Sequence, residues 1–345
     1  MRKGLLIAAM MMAAAALAVA ESPDLSGTYD IATLTPLVRP ANLGDRLSLT
    51  DAEAKALAQS TAAIMAKNNQ ASDPNRSAPP VGGDGSQGPA GNVGGYNTLW
   101  VDLGTGAFKI DGQWRTSIII DPPNGRMPAM TPEAAKLAAE RAKLSRPNRG
   151  DAWWMEEGIS PGPYDDPELR PTAERCLLGF GASAGPPALP VMYNNLKQIV
   201  QTKNHVLILN EMVHDARIIR LNAKHEPPEI RRWLGDSIGH WEGDTLVVDT
   251  TNFNDQPALG AATRNLHVVE RFTRIDAKTL RYKFTVEDPT VWTKPWTGEM
   301  VWPATDARIY EYACHEGNYS FTGILRGARR LEAEAAAGKT ASPSK

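Results

Sequence analysis

Between residues 205 and 314 one pattern recurs: short runs rich in Val, Ile, Leu, Thr and aromatic residues, separated by tight polar turns. Thr245–Asn252 follows Ile238–Glu242 across Gly243-Asp244, and Leu280–Glu287 follows Leu266–Ile275 across Asp276–Thr279. Turns this short join antiparallel partners, because a parallel pair needs a crossover of about a dozen residues or more. His205–Ile219 reads as one long strand and Arg308–Cys314 as the last. Without strand–helix–strand alternation, the pattern predicts a mainly β antiparallel meander. A meander with this many strands must hide its edges. Closure into a lipocalin-like β-barrel, with a few peripheral helices and long loops, is therefore expected, and a β-sandwich is the alternative.

The rest of the chain divides around this block. Residues 1–20 have the form of a secretory leader: Arg2 and Lys3, an apolar run from Leu5 to Val19, and a small-x-small end at Ala18-Val19-Ala20. The expectation is export to the periplasm or beyond, with cleavage near Ala20. Residues 21–96 read as an N-terminal extension. It holds a possible first strand at Asp24–Tyr29, a helix from Thr50 to about Lys67 opened by the capping box Thr50-Asp51-Ala52-Glu53, and a Gly- and Pro-rich loop over 71–95. Residues 97–337 form the barrel domain. Its first strands are expected at Thr98–Asp102, Phe108–Ile110 and Trp114–Ile120, a second helix at Thr131–Lys143, a wrapping segment over 145–200, and a terminal helix at Phe321–Ala336. Residues 338–345 read as a disordered polar tail.

Charge and cysteine content narrow the partners. Lys plus Arg is 37 against 39 for Asp plus Glu, and no basic block interrupts the chain. Nucleic-acid binding through bulk charge is excluded on that pattern, and no stretch of the mature chain has the length and apolarity to insert in a membrane. The expected partner is a small-molecule ligand or substrate. Cys176 and Cys314 are the only cysteines, and in an exported chain an even pair reads as one disulfide.

Side chains alternate across a strand, so polar residues in an apolar row mark candidate interior groups. Val206, Ile208, Asn210, Met212, His214, Ala216 and Ile218 fall on one face of the long strand, which places Asn210 and His214 among apolar neighbours. Leu266, Val268, Glu270 and Phe272 share a face, which turns Glu270 inward. Asp249 ends the run Thr245–Asp249. Buried polar groups must pair or serve a ligand. His titrates near neutrality and a desolvated Glu can move toward it. Hence His214, Asp249 and Glu270 are the candidate acid–base set, with Asn210 as the group to hold a developing oxyanion. Trp241, His240, Glu242 and His315 are candidate ligand contacts. Trp153, Trp154, Trp292 and Trp296 either flank a mouth or cover the core.

Other chemistries lack their motifs. His315-Glu316 is followed at the second ligand position by Tyr319, so no helical zinc motif forms and no metal is expected. Gly179-Phe180-Gly181-Ala182-Ser183 has its Ser in the wrong place for a nucleophile elbow. No Gly-rich nucleotide loop follows a strand, and no cofactor is expected.

Several segments are distinctive together: Trp114-Arg115-Thr116-Ser117 leading to Asp121-Pro122-Pro123-Asn124-Gly125-Arg126, Asn210 to Arg217, Trp241 to Thr250, Glu270 to Arg274, and Tyr310 to Tyr319. They resemble a large family of secreted bacterial proteins over about residues 97–330. The resemblance implies an exported bacterial protein and carries over no reaction and no site residue. The reading from the residues is an exported β-barrel that binds a small organic molecule, aromatic ones included, and acts on it as a cofactor-independent acid–base lyase or isomerase. A carrier without turnover, or an envelope structural protein, is the alternative.

Overall fold

The computed structural model describes residues 22–70, 75, 101–144 and 150–338. In chain order these form β1 (Gly27–Asp30), β2 (Ser48–Leu49), α1 (Asp51–Asn68), β3 (Lys109–Ile110), β4 (Gln113–Arg115), β5 (Ile119–Asp121), α2 (Pro132–Leu144), α3 (Trp153–Glu156), β6 (Leu196–Gln201), β7 (His205–Asn210), β8 (Ala216–Leu221), β9 (Asp236–Glu242), β10 (Thr245–Thr251), β11 (His267–Asp276), β12 (Thr279–Glu287), β13 (Trp296–Pro303), α4 (Cys314–Gly317) and α5 (Tyr319–Ala336). The leader over 1–20, nearly all of the Gly- and Pro-rich loop, the start of the strand expected at Thr98–Asp102, and the tail past Gly338 lie outside the described residues.

Local chemistry sets the elements the sequence marked. Glu53 closes the capping box of α1, accepting from the Thr50 N–H at 2.8 Å while its own N–H donates to Thr50 Oγ1 at 3.2 Å. Thr131 Oγ1 accepts from the Ala134 N–H at 3.1 Å and starts α2. The β9–β10 hairpin turns on Gly243 at φ 59°, and Asp276 Oδ1 takes the Lys278 N–H at 2.8 Å in the β11–β12 turn.

Ten strands form one curled sheet in the order β1-β6-β7-β8-β9-β10-β11-β12-β13-β5, and β2-β4-β3 form a small second sheet. The curl makes a half-barrel, so the closed barrel expected from the meander is not what forms. Tyr29 bridges Ala304, and the Thr305 N–H donates to the Thr28 carbonyl at 2.9 Å, which brings β1 to the end of β13 without a continuous ladder. Gly27–Asp30, within the expected extension, is an edge strand of this sheet. Every pair in the large sheet is antiparallel except β8–β9. A parallel neighbour requires a crossover. Residues 222–235 supply it, and they form one wall of the site described below.

The long strand expected over His205–Ile219 is a hairpin instead. Residues 211–215 turn the chain between β7 and β8, with Val213 at φ 58° and His214 at φ 41°. The β-branched Val213 strongly disfavours the left-handed region, His214 tolerates it better, and no Gly or Pro signals the turn. Packing holds it: Met212 is fully buried, and its sulfur accepts from the Phe180 N–H at 3.1 Å. The Asn210 backbone N–H and side-chain amide both donate to the Asp215 carbonyl at 2.9 Å. Across this turn the inward parity changes. Val206, Ile208 and Asn210 point inward on β7, whereas Arg217 and Ile219 do so on β8, and Ala216 and Ile218 face out.

The concave side is filled by aromatic side chains. Tyr282 lies 4.9 Å from Phe272, 5.3 Å from Phe284 and 4.9 Å from Trp302 between ring centres, and Trp296 packs on Phe284 and Trp292. Trp153 and Trp154 are buried in a second cluster against Ala328 of α5. These tryptophans cover cores; they do not rim a mouth. Cys176 and Cys314 are disulfide-bonded, as expected. Cys314 begins α4, however, and residues 308–313 form no strand, so the bond ties the wrapping segment to the C-terminal helices. No helix among the described residues is long and apolar enough to cross a membrane.

Candidate functional site

The four residues expected to meet inside the sheet occupy separate places. Glu270 does point inward and is fully buried, but Arg217 grips it with both terminal guanidinium nitrogens, and the Tyr282 hydroxyl donates to it at 2.7 Å. Its carboxylate is enclosed by protein partners. Asn210 is also buried, and its Oδ1 has no hydrogen-bond partner among the described residues. His214 sits exposed on the strained turn, because the turn removes it from the strand whose alternation placed it inside. Asp249 projects from the convex face, since its β10 neighbours Val248 and Thr250 take the inward positions. No hydrogen bond joins His214, Asp249 and Glu270.

The other expected contacts are similarly spread. His240 and Glu242 are exposed on the convex face, where they bond each other at 3.1 Å and Arg271 holds Glu242 at 2.9 Å. Trp241 faces the opposite way and is packed against the core. His315 lies exposed on α4.

What the convex face does carry is a polar ladder with one member from each of five adjacent strands. Arg220 on β8 donates to both oxygens of Asp236 on β9, at 2.8 and 2.9 Å. His225, on the crossover, bridges Asp236 through Nδ1 at 2.9 Å and Asp249 through Nε2 at 3.0 Å. Asp249 on β10 also meets His267 Nε2 on β11 at 3.1 Å, and His267 Nδ1 lies 3.7 Å from Glu287 on β12. With Asp236 and Asp249 ionised, both contacts of His225 are hydrogen bonds only when the ring carries two protons. The bond to Asp249 raises the His267 pKa, and the same bond lowers that of Asp249 against the opposing effect of burial.

These shifts give a stability window. A raised His stabilises fully below its unfolded value of 6.5 and less as pH rises through its folded value; a lowered Asp stabilises fully above 3.8 and less as pH falls through its folded value. The stability gap between wild type and His267→Gln is therefore expected to be widest between these two values and to shrink on either side. At this exposure it should reach about 0.2–1 kcal/mol. Urea melts across pH measure it, and a gap that grows above pH 8, roughly 1.5 units past the ordinary His value, contradicts the pairing.

Beside the ladder, over the outer face of β8, lies a cavity of about 450 Å³. Its walls are Leu177 and Leu178 of the wrapping segment, Asp215 at the β7–β8 turn, Ile218 and Arg220 of β8, and the crossover residues Glu226, Arg232, Trp233 and Leu234, with Asp236 at the end of β9. The disulfide fixes the first wall, since Leu177 follows Cys176 directly. The parallel β8–β9 pair fixes the second, because it forces residues 222–235 across the face.

The two aspartates of this cavity are pushed in opposite directions. Burial raises the Asp215 carboxyl to about 6, against the Gly179 N–H, Lys197 and His214, which favour its charge. Burial also opposes ionisation of Asp236, but the Glu226 N–H, His225 and Arg220 outweigh it and hold that carboxyl below its usual range. Divergent environments of this kind separate an acid from a permanently ionised group. Behind the turn, Lys197 pairs with Asn210 across β6–β7 and is fully buried. Its Nζ donates to the Ser183 carbonyl at 2.7 Å, and burial lowers its pKa to about 7.

Sequence patterning does not single out Asp215, Arg220, His225, Glu226, Arg232, Asp236 or Lys197. Asp215 adjoins His214 within the distinctive Asn210–Arg217 segment, and that was the one signal available. His225 and Glu226 sit in a loop, where no periodicity gives a direction. No protein-family model matches this chain, and no curated protein matches it.

Proposed function

We propose that the chain is an exported protein that binds a small organic molecule in the β8 cavity and moves a proton on it. The observation that supports this reading is the cavity itself, with a carboxyl that burial holds protonated up to about pH 6 set among ionised, fixed groups. Asp215 is the proton donor. Glu226, held at 3.2 Å from Arg220 Nη1, is the acceptor open to the cavity. Removal of a proton at one ligand atom by Glu226 and delivery at another by Asp215 balances an isomerisation. The same pair serves an elimination, with Asp215 protonating the leaving group. Arg220, clamped by Asp236, holds Glu226 in place at the cavity wall. Asp249, expected at the site from the sequence, acts at one remove by orienting His225.

Capture of metabolites by the purified protein, read by mass spectrometry, identifies the ligand. Asp215→Asn is expected to retain it and to lose conversion by about 10²–10⁴-fold, the usual contribution of a positioned acid. Wild-type turnover should fall as pH rises above about 6, because the donor must be protonated. Equal conversion by wild type and variant contradicts the assignment, and tight retention without any conversion favours the carrier.

A further inference from the structure

The ligand's chemical class can be read from the cations of the same cavity, an inference that rests on the pocket reading above. Three arginines line it; Arg217 turns its guanidinium to Glu270 under the sheet, and the other two differ. Arg220 is neutralised, with Glu226 at 3.2 Å and Asp236 at 2.8 Å. Arg232 is exposed, and its guanidinium has no hydrogen-bond or ion-pair partner among the described residues. Its backbone is nevertheless fixed: the Arg232 N–H donates to the Asn252 carbonyl at 3.0 Å, and its carbonyl accepts from the Asn254 N–H at 3.0 Å and the Gly235 N–H at 3.2 Å. The preceding Arg231 is tied down, donating to the carbonyls of Phe253 and Arg264. Arg232 is thus a positioned cation with open donors.

The surface around it is apolar. Trp233 and Leu234 follow it in the chain, Leu177 lines the opposite wall, and Ile218 on β8 is 58% exposed. A large aliphatic side chain left in water beside an unpaired guanidinium suits a molecule with one anionic end and an apolar body. We propose that the ligand is a monoanionic organic carboxylate with an aromatic or aliphatic body, its carboxylate forked onto Arg232 and its body covering Ile218 and Trp233. A phosphate dianion fits less well, because Glu226 and Asp236 share the cavity and only one cation is unmatched.

The test uses the full chain and two probes of the same shape, 3-phenylpropionate and its neutral amide, in titration calorimetry with Trp fluorescence as a second readout. The carboxylate is expected to bind about ten- to a hundredfold more tightly than the amide, the range of a charge-assisted bond. R232Q should erase that difference by weakening the carboxylate to the level of the amide. Added salt should weaken the carboxylate alone. Amide binding as tight as carboxylate binding, with R232Q without effect, overturns the carboxylate assignment and leaves the pocket as a binding site. Failure of both probes to bind wild type overturns the pocket reading as well.

Discussion

Glu270→Ala is expected to lower the unfolding free energy by about 3–5 kcal/mol, the largest effect of any single substitution considered for this chain. The reason is electrostatic, not volumetric. Arg217 is enclosed under the sheet, and among the described residues its only carboxylate partner is Glu270. Truncating that partner leaves a buried cation with nothing to neutralise it, and also strands the Tyr282 hydroxyl, which donates to Glu270 at 2.7 Å. The pair itself is worth far less than its rupture costs, since two ions must be desolvated to form it. Arg217→Met combined with Glu270→Leu should therefore recover most of the loss. Chemical denaturation of wild type, the single variant and the double variant separates the two ideas. A single-variant loss under about 1 kcal/mol would mean that water reaches Arg217 and that the interior is not sealed.

Loss of the disulfide should be the next largest effect. Cys176 and Cys314 are 138 residues apart, and the chain-entropy relation gives about 5 kcal/mol for a loop of that size, as an upper figure. A decrease of about 2–5 kcal/mol is expected for Cys176→Ser with Cys314→Ser, with a lower denaturant midpoint. A functional effect should accompany it, because Leu177 and Leu178 form one cavity wall immediately after Cys176. Ligand affinity should drop in the double variant at temperatures where the sheet is still folded. Unchanged affinity would show that packing of Leu178 alone holds the wall.

Both effects bear on what could be read from the sequence. The hairpins over 238–252 and 266–287 were legible, because strict alternation meets short turns there, and Glu270 was correctly turned inward by the same rule. Alternation gave the direction of a side chain but not its partner. One unbroken strand over 205–219 would turn Arg217 outward, but a turn without Gly or Pro resets the parity and turns it inward. That turn is stabilised by Met212 against Phe180 and Ser183, contacts about thirty residues away that no local pattern reports. β6 falls within the expected wrapping segment because its approach, residues 177–195, is dense in Gly and Pro. The parallel β8–β9 pair was invisible for a similar reason: hairpin logic applies to short connections, and residues 222–235 are long. The proposed site lies on those features, a turn of unusual conformation and a crossover loop. Expecting it inside the curl followed from assuming that a sheet of this kind keeps a ligand cavity, whereas the aromatic side chains fill that space.

The decisive quantity is the protonation of one carboxyl at the wall of the β8 cavity. Carbon-detected NMR of the aspartate side chains across pH, with Asp215→Asn to assign the resonance, reads it directly. A midpoint near 6 for Asp215, displaced when ligand fills the cavity, is the predicted result. A midpoint at the ordinary 3.8 with no response to ligand would contradict the assignment of Asp215 as the proton donor.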